Sequence, residues 1–299
     1  MVVICGPTGV GKTGFAIGLA RQFGGEIVGA DSMQIYRFMD IGTAKPTVEE
    51  QAQCVHHMVN VADPDEDFDA VVYASQSDKC ILDLVGRNKL PLVVGGTGLY
   101  IKALIHGLTA AAPSDPQLRR KLQLELGALG APALHQRLLD LDGAAAKRIH
   151  PNDGYRILRA LEVFAMTGRS ITSHYRDHGF STLRYDTLYI GLTMPRELLY
   201  NRINQRVEMM IDQGIVDEVR ALLCQGYGPE LKSMKSLGYR HMVDFIQGRL
   251  TWDEAVRTLK RDHRRYAKRQ ITWFGANPDI NWLTPDRHHV AAALISKFL

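Results

Sequence analysis

Residues 6–13 are Gly6-Pro7-Thr8-Gly9-Val10-Gly11-Lys12-Thr13, which match the pattern G-x-x-x-x-G-K-[ST] at every position. An apolar run at residues 2–5 precedes this stretch, and an apolar helical pattern follows it. Strand, loop and helix in this order predict a phosphate-binding loop, whose backbone N–H groups turn inward around an oxyanion. We expect Lys12 to reach the outer phosphate and Thr13 to offer its hydroxyl to Mg²⁺. The motif predicts a phosphate or diphosphate ligand without specifying ATP. A chance match at an ordinary helix start is the alternative.

The composition is typical of a globular protein with one or two domains, with 299 residues, 45% hydrophobic and 23% charged. No run of about 18 apolar residues predicts a membrane span, and no signal peptide is evident, so we expect a cytoplasmic protein. The four cysteines are scattered, which argues against a zinc site or a disulfide framework. The net charge is only +4, so where the basic residues lie matters more than their sum.

Two further apolar runs, at residues 26–30 and 90–94, predict strands that alternate with helices. This alternation favours a parallel, doubly wound sheet, in which ligands bind beyond the carboxyl ends of the strands. Asp31 and Ser32 follow the first run, so we expect them beside the phosphate loop. A glycine-rich turn at residues 95–98 follows the second run, and Thr97 would present a hydroxyl to a ligand there. As alternatives, Asp31 is a turn or cap residue and Thr97 caps a helix over residues 99–105.

The segment between these two strands contains a loop at residues 40–46, marked by glycine, threonine and proline. Lys45 in this loop either touches a phosphate or is solvated. His56 and His57 are too isolated to be metal ligands, and a structural role is favoured. The acidic residues 63–69 lack the spacing of a calcium loop, so we expect a solvated loop that caps a helix from about Ala70.

The composition changes after Gly107, where residues 110–116 predict a linker that leads into a helix. From there to about Tyr185 the pattern is helical and poor in strands, and an apolar strand at residues 188–192 then returns the chain to the sheet. We therefore predict a helical insertion domain at residues 114–185 within a phosphate-loop core made of residues 1–113 and 186–299.

Two basic stretches follow the insertion. A helix over residues 198–223 would carry Arg202 and Arg206 one turn apart on one face, where the alternative is surface pairing with Glu197 or Glu208. Residues 257–269 hold seven Lys or Arg and a single acidic residue, with aromatic residues within and after the run. Such a run suits nucleic-acid phosphates and bases, and a solvated helix face explains it equally well.

These motifs together closely resemble the tRNA dimethylallyltransferase (tRNA isopentenyltransferase) family over nearly the whole chain. The resemblance rests on residues 6–13, 31–36, 40–46, 95–100, 150–153, 159–163, 238–240 and 267–270. The zinc finger of the eukaryotic members has no counterpart, so the chain resembles a bacterial form. The fold implied is a P-loop NTPase-like parallel sheet with an all-helical insertion that clasps the anticodon stem-loop of tRNA.

The resemblance implies transfer of a dimethylallyl group from dimethylallyl diphosphate to N6 of the adenine immediately 3′ of the anticodon. The phosphate loop would hold the diphosphate leaving group, whose developing charge Lys12 and Mg²⁺ on Thr13 would stabilise. Asp31 would accept the N6 proton, with Thr97 near the reacting centre. We expect Arg202 and Arg206 to close over the diphosphate, and we expect a monomer. The tRNA-contacting residues implied are Asp31, Ser32, Met33, Gln34, Thr97, Arg119, Tyr155, Arg156, Ile157, Leu158, Arg159, Ser236, Leu237, Gly238, Tyr239, Arg240 and His241.

Three other functions share parts of this pattern. A P-loop kinase of a nucleoside or small metabolite would use the same loop, but it needs neither the insertion nor the basic helix. An isopentenyltransferase acting on free adenine nucleotides is disfavoured by the same two features. A nucleic-acid-binding ATPase would need a second acidic Mg²⁺ ligand at a strand end, and the sequence offers no suitable motif.

Overall fold

The computed structural model describes residues 1–107, 115–178 and 183–299. The chain forms two compact units, one made of Met1–Ile105 with Tyr185–Leu299 and the other of His106–Arg184. The domain boundary predicted between residues 113 and 114, and most of the predicted linker, lie outside the described residues.

Six parallel strands within the described residues form one sheet in the first unit. They are β1 (Val2–Cys5), β2 (Glu26–Gly29), β3 (His56–His57), β4 (Pro91–Gly95), β5 (Leu188–Leu192) and β6 (Asn281–Leu283). Their order is β3-β2-β4-β1-β5-β6, so β1 lies between β4 and β5, with Val2 opposite both Leu92 and Leu188. The predicted α/β class with a parallel sheet is confirmed.

Helices in the described residues cover the sheet or build the second unit. They are α1 (Lys12–Phe23), α2 (Val48–Gln53), α3 (Ala70–Gly86), α4 (Gly98–His106), α5 (Pro116–Leu129), α6 (Ala131–Leu141), α7 (Gly143–Arg148), α8 (Gly154–Thr167), α9 (Ile171–His178), α10 (Arg196–Asp212), α11 (Ile215–Cys224), α12 (Tyr239–Ile246), α13 (Trp252–Phe274) and α14 (His288–Phe298). Among them, none is both long and apolar enough to cross a membrane.

The core of the first unit is built around β1, whose four residues are fully buried because β4 and β5 pair with its two edges and helices such as α1 and α14 pack on the sheet. A second apolar cluster joins α10, α11, α12 and α13 to the segment at residues 33–44. The predicted helix over residues 198–223 is wrong as one element: Gly214, with φ of 91°, ends α10 and begins α11. Only glycine adopts this left-handed conformation at little cost, and it redirects the chain there.

The helical unit has its own core, because the apolar faces of α5, α6, α7 and α8 pack on one another. Aspartates begin several of its helices: Asp115, Asp142 and Asp153 each accept backbone N–H groups from the first turn that follows. Asp69 caps α3 in the first unit in the same way, through Val71 N and Val72 N. The interpretation of the acidic stretch as a capping loop is therefore confirmed.

Candidate active site

The phosphate loop lies between β1 and α1, as its sequence predicts. Gly6 has φ of 143°, and a Cβ there would lie 2.6 Å from the carbonyl oxygen of Leu192 at the end of β5. Gly11, with φ of 103°, precedes the first residue of α1. These positions require glycine, so the loop backbone can curl tightly at the carboxyl ends of the two central strands.

Lys12 points back into the loop. Its Nζ donates to the carbonyl oxygens of Gly6 and Pro7, at 3.0 and 2.9 Å. Burial lowers the pKa of Lys12 to about 8, although the negative charge of Asp31 opposes that shift. A partly desolvated ammonium whose hydrogen bonds go to neutral carbonyls is well prepared to bind an anion.

A cleft of about 1100 Å³ opens in front of the loop. It brings together most of the residues expected around a diphosphate, and its lining includes Thr8, Gly9, Gly11, Lys12, Thr13, Asp31, Arg202 and Arg206. The strand–loop–helix arrangement and the adjoining α10 position these side chains, which are widely separated in sequence.

Arg202 and Arg206 project from α10 toward this cleft. The Arg202 guanidinium lies near Gly11, where a Cβ would be 3.4 Å from Nη2. Arg206 donates to the carbonyl oxygen of Ala44 at 3.4 Å, and burial lowers its pKa. Within the described residues neither arginine has a carboxylate ion-pair partner, and Glu208 binds Lys260 instead. The alternative of surface pairing with Glu197 or Glu208 is therefore not what the structure contains.

Asp31 follows β2 and closes a turn: its Oδ1 accepts the N–H groups of Met33 and Gln34, at 2.9 and 3.4 Å. The turn role considered from the sequence is thus present, and it orients the carboxylate. Asp31 also lines both the cleft and an adjoining cavity of about 260 Å³. Asp31 therefore borders two spaces, one next to the phosphate loop and one next to Ser32 and Met33.

Thr97 holds the backbone on both sides of Asp31 through hydrogen bonds to Ala30 and Ser32. Its Oγ1 accepts the Ser32 N–H at 3.0 Å, and its carbonyl oxygen accepts N–H groups from Tyr100 and Ile101 at the start of α4. Thr97 therefore serves the first turn of the helix through its backbone and the loop after Asp31 through its side chain.

Two residues that received no individual role from the sequence complete the site. Gln270 on α13 accepts the Thr8 N–H at 2.8 Å and donates to the carbonyl oxygen of Gly96 at 2.9 Å. Glu218 on α11 accepts N–H groups from Asp40, Ile41 and Gly42, and also the Tyr239 hydroxyl at 2.6 Å. Only the tertiary fold brings these side chains to their loops, so the sequence could not assign them a role, although Gln270 lies in the 267–270 string that supports the resemblance.

For Lys45, both alternatives considered from the sequence, a phosphate contact and a solvated side chain, are wrong. It is neither solvated nor directed at a phosphate, because its Nζ donates to Asp40, Asn60 and the carbonyl oxygen of Tyr36. Its side chain is 3% exposed, which explains why three acceptors surround it. His57 also has a structural contact, with its Nε2 2.7 Å from the carboxylate of Glu26.

The segment at residues 236–241 contributes unevenly to the open surface. Ser236 and Leu237 line the smaller cavity, and Arg240 is exposed and bonded to Asp262 at 2.7 Å. Tyr239 and His241 are buried. Contacts from this segment to tRNA remain a prediction, and they would come from its exposed members.

Asp262 is an ion-pair partner for several arginines in and near the basic helix α13. It forms ion pairs with Arg240, Arg261 and, at 3.6 Å, Arg265. Arg264 instead donates to Asn204 at 2.7 Å. Part of the basic run is thus held in ion pairs and hydrogen bonds, so its charge is only partly available to a ligand.

In the helical unit, the predicted contact residues divide by exposure. Tyr155 and Arg156 are exposed at the start of α8, whereas Ile157 and Leu158 are buried in the core. The side chains of these last two residues pack against neighbouring helices, because both lie on the apolar face of this amphipathic helix.

Glu162 lies in the 159–163 string that supports the resemblance, but the sequence assigned it no individual role. It is 1% exposed, its carboxylate bonds Arg159 at 2.8 Å, and Arg119 lies 4.0 Å away. The Arg119 guanidinium in turn lies over the Tyr155 ring, 5.3 Å from its centroid. These four side chains form one cluster, which we call the Glu162 cluster.

Two family models together match residues 1–277, and curated relatives match the whole chain. A family model described as IPP transferase matches residues 34–277, and one described as isopentenyl transferase matches residues 1–59. A tRNA dimethylallyltransferase of Desulfatibacillum aliphaticivorans is 52% identical over 299 residues, covering 100% of this chain and 98% of that protein. Its counterpart in Syntrophobacter fumaroxidans is 53% identical, covering 99% and 86%. The chain belongs to the tRNA dimethylallyltransferase family.

Solved structures of the family agree with the fold. A tRNA isopentenylpyrophosphate transferase of Bacillus halodurans is 38% identical with a TM-score of 0.73, covering 99% of this chain and 97% of that one. A eukaryotic dimethylallyltransferase acting on tRNA has a TM-score of 0.80 at 29% identity, covering 95% and 73%. The resemblance inferred from the sequence is therefore confirmed at the level of family and P-loop NTPase-like fold.

The residues of the candidate site fit a metal ion that takes most of its ligands from a bound diphosphate and few from the protein. The described residues contain no cluster of three or more His, Cys, Asp or Glu side chains suited to a metal. Thr13 offers a hydroxyl at the cleft, in the position that serves Mg²⁺ in phosphate loops. Mg²⁺ commonly takes few protein ligands and completes its shell with phosphate oxygens and water, which this donor set allows.

Proposed function

We propose that this chain transfers a dimethylallyl group from dimethylallyl diphosphate to N6 of the adenine immediately 3′ of the anticodon in tRNA. Family membership makes the chain a transferase that prenylates tRNA. The observation that carries the finer assignment is the place of Asp31, which lines both the phosphate-loop cleft and the adjoining cavity.

The reaction needs a leaving group to be stabilised at one end of the site. As the bond between C1 of the dimethylallyl group and the diphosphate oxygen breaks, the bonding electrons leave with the diphosphate. Lys12 and Arg206 are half-buried cations that line this cleft, and desolvation lowers the pKa of both. Their interaction with the developing charge strengthens in the transition state because little water screens it.

The other end of the site needs a base. The N6 amine is a weak nucleophile because its lone pair is delocalised into the adenine ring. Asp31 would orient the amine and take its proton as nitrogen bonds to C1. The turn bonds to Met33 and Gln34 use Oδ1, which leaves Oδ2 for the amine. The adenine must leave its stack to reach this carboxylate, as in other enzymes that modify bases.

Mg²⁺, where bound by Thr13 and the diphosphate, would neutralise part of the leaving-group charge. The chain itself supplies the loop N–H groups, Lys12 and the two arginines of α10. On the nucleic-acid side, the exposed residues Tyr155, Arg156 and Arg240 are the proposed contacts with the stem-loop.

The test combines substrates and one variant. The purified protein is incubated with labelled dimethylallyl diphosphate and, separately, tRNA, AMP or ATP, and label is expected only in tRNA. Label in free nucleotides would establish the free-nucleotide transferase instead. A phosphoryl acceptor assay with ATP distinguishes the kinase.

Asp31→Asn keeps the shape of the side chain but cannot accept the proton. Its single-turnover rate should fall by about 10²–10⁴, the usual contribution of a positioned base, with both substrate affinities within a few-fold of wild type. Lost affinity with intact chemistry would assign Asp31 to binding and move the base elsewhere.

A further inference from the structure

The Gln270 side chain joins the two loops that carry the reaction. It is 5% exposed, and its amide bonds a backbone N–H of the phosphate loop on one side and a backbone carbonyl of the β4–α4 turn on the other. A primary amide is the neutral side-chain group that accepts at one atom and donates at the neighbouring one. The Thr8 N–H is thereby taken by protein rather than by phosphate.

The turn that Gln270 contacts has no room for a side chain at Gly95 or Gly96. A Cβ at Gly96 would lie 2.1 Å from the Gln270 amide nitrogen, and one at Gly95 would lie 2.0 Å from the carbonyl oxygen of Ala30. The backbone at residues 95–96 is therefore packed between α13 and the end of β2.

The same turn holds the residues on both sides of Asp31. Thr97 N donates to the carbonyl oxygen of Ala30 at 3.1 Å, and Thr97 Oγ1 accepts the Ser32 N–H at 3.0 Å. A continuous series of hydrogen bonds thus runs from the phosphate loop through Gln270 and the 96–97 backbone to the flanks of the proposed base.

We propose that Gln270 is a positioning residue that sets the separation between the phosphate loop and Asp31. The inference rests on the proposed function, because it assigns the two ends to leaving group and base. Displacement of reacting groups by about 1 Å can cost on the order of 10² in rate, so one bridging amide is enough to matter.

Two substitutions separate positioning from simple packing. Gln270→Met keeps the length of the side chain and removes both hydrogen bonds. Gln270→Glu keeps the acceptor for Thr8 N–H when ionised, but it can donate to Gly96 only when protonated. Burial favours the protonated form of such a carboxyl group. Thr272→Ala, on the exposed side of the same helix, is the matched control.

The readouts are the single-turnover rate at saturating substrates, the affinity for tRNA, and the dependence of the rate on pH. Gln270→Met should lose about 10–100-fold in rate at every pH, with tRNA affinity within about 3-fold of wild type. The rate of Gln270→Glu relative to wild type should rise as pH falls from about 8 to about 6, because the protonated acid restores the donor. Thr272→Ala should match wild type throughout.

The proposal is overturned if folded Gln270→Met keeps its rate within about 3-fold of wild type, or if the rate of Gln270→Glu relative to wild type is independent of pH. If Gln270→Met does not fold, the pH dependence of Gln270→Glu decides alone. Absence of transfer by the wild-type protein would instead refute the proposed function, so the two failures are distinguishable.

Discussion

The cleft of the first unit and the Glu162 cluster of the second hold positive charge in opposite ways. In the cleft, burial lowers the pKa of Lys12 and Arg206, and no carboxylate in the described residues forms an ion pair with either. In the helical unit, buried Glu162 lies between Arg159 and Arg119. In the described part of the chain the two cations of the cleft therefore lack an ion-pair partner, which an anionic ligand would supply, whereas the two arginines of the helical cluster already share one carboxylate. The first arrangement suits a substrate whose charge changes during reaction, and the second suits a surface that only binds.

The largest effect is expected when the positive charge of Lys12 is removed from the cleft. Lys12→Ala should lose about 10²-fold or more in single-turnover rate, since an oxyanion-type stabiliser acts most strongly on the leaving group. Lys89→Ala, an exposed lysine outside the site, is the control. Near-normal turnover of Lys12→Ala would mean that the loop does not hold the leaving group.

Because the pKa of Lys12 is lowered, anion binding in the cleft should depend on pH in a way that binding at the Glu162 cluster does not. With its pKa near 8, the free loop loses its positive charge as pH rises through 8, while a bound anion favours the charged form. Binding of inorganic diphosphate above pH 8 should therefore take up roughly one more proton per site in wild type than in Lys12→Met. Calorimetry in buffers of different ionisation enthalpy measures this uptake, and the titration of diphosphate itself is common to both proteins. Equal uptake by both would exclude Lys12 as the group that titrates.

A substitution in the Glu162 cluster should weaken tRNA binding and leave the rate of the chemical step unchanged. Glu162→Gln removes the charge that holds Arg159 and Arg119, so tRNA affinity should fall by about 3–10-fold, or roughly 0.7–1.4 kcal/mol. The free energy of unfolding should fall by about 1–3 kcal/mol, because hydrogen bonds to a charged partner are lost. The rate at saturating tRNA should stay unchanged. Glu125→Gln, which breaks the more exposed pair with Arg137, is the control. A slower chemical step in Glu162→Gln would contradict the division of labour.

The smallest expected effect concerns the basic helix. Replacing Arg264 and Arg265 with Ala should reduce the slope of log affinity for tRNA against log salt by about one unit for each arginine that binds a phosphate. Because Arg264 already bonds Asn204 and Arg265 lies near Asp262, we expect a reduction smaller than the full effect of two such arginines. An unchanged slope would assign this face of α13 to solvent.

Sequence reasoning succeeded where local chemistry determines structure and stopped where tertiary contacts do. The phosphate loop, the parallel strands and the Asp69 cap follow from residue types at short spacing. β3 and β6 were missed because a pair of histidines and three residues starting with Asn281 carry no apolar run. Gln270 and Glu218 act on partners far away in sequence, and Glu162 also faces Arg119 on a separate helix. The strings at residues 159–163 and 267–270 supported the resemblance to the family, but the sequence could not assign a role to a single side chain within them.

The order of the strands has a consequence for synthesis on the ribosome. The central strand β1 gains β4 once residue 95 has emerged, but its other neighbour, β5, begins at Leu188. At about 5–20 residues per second, the intervening stretch takes about 5–20 s to make. Meanwhile an apolar edge, Val2–Cys5, stands open to pairing with other chains. Protease sensitivity of chains stalled before and after β5 would measure the delay.

The segment made in that interval, His106–Arg184, has its own apolar core. The helical unit of the nascent protein could then fold while the sheet of the first unit still lacks β5 and β6 on one side of β1.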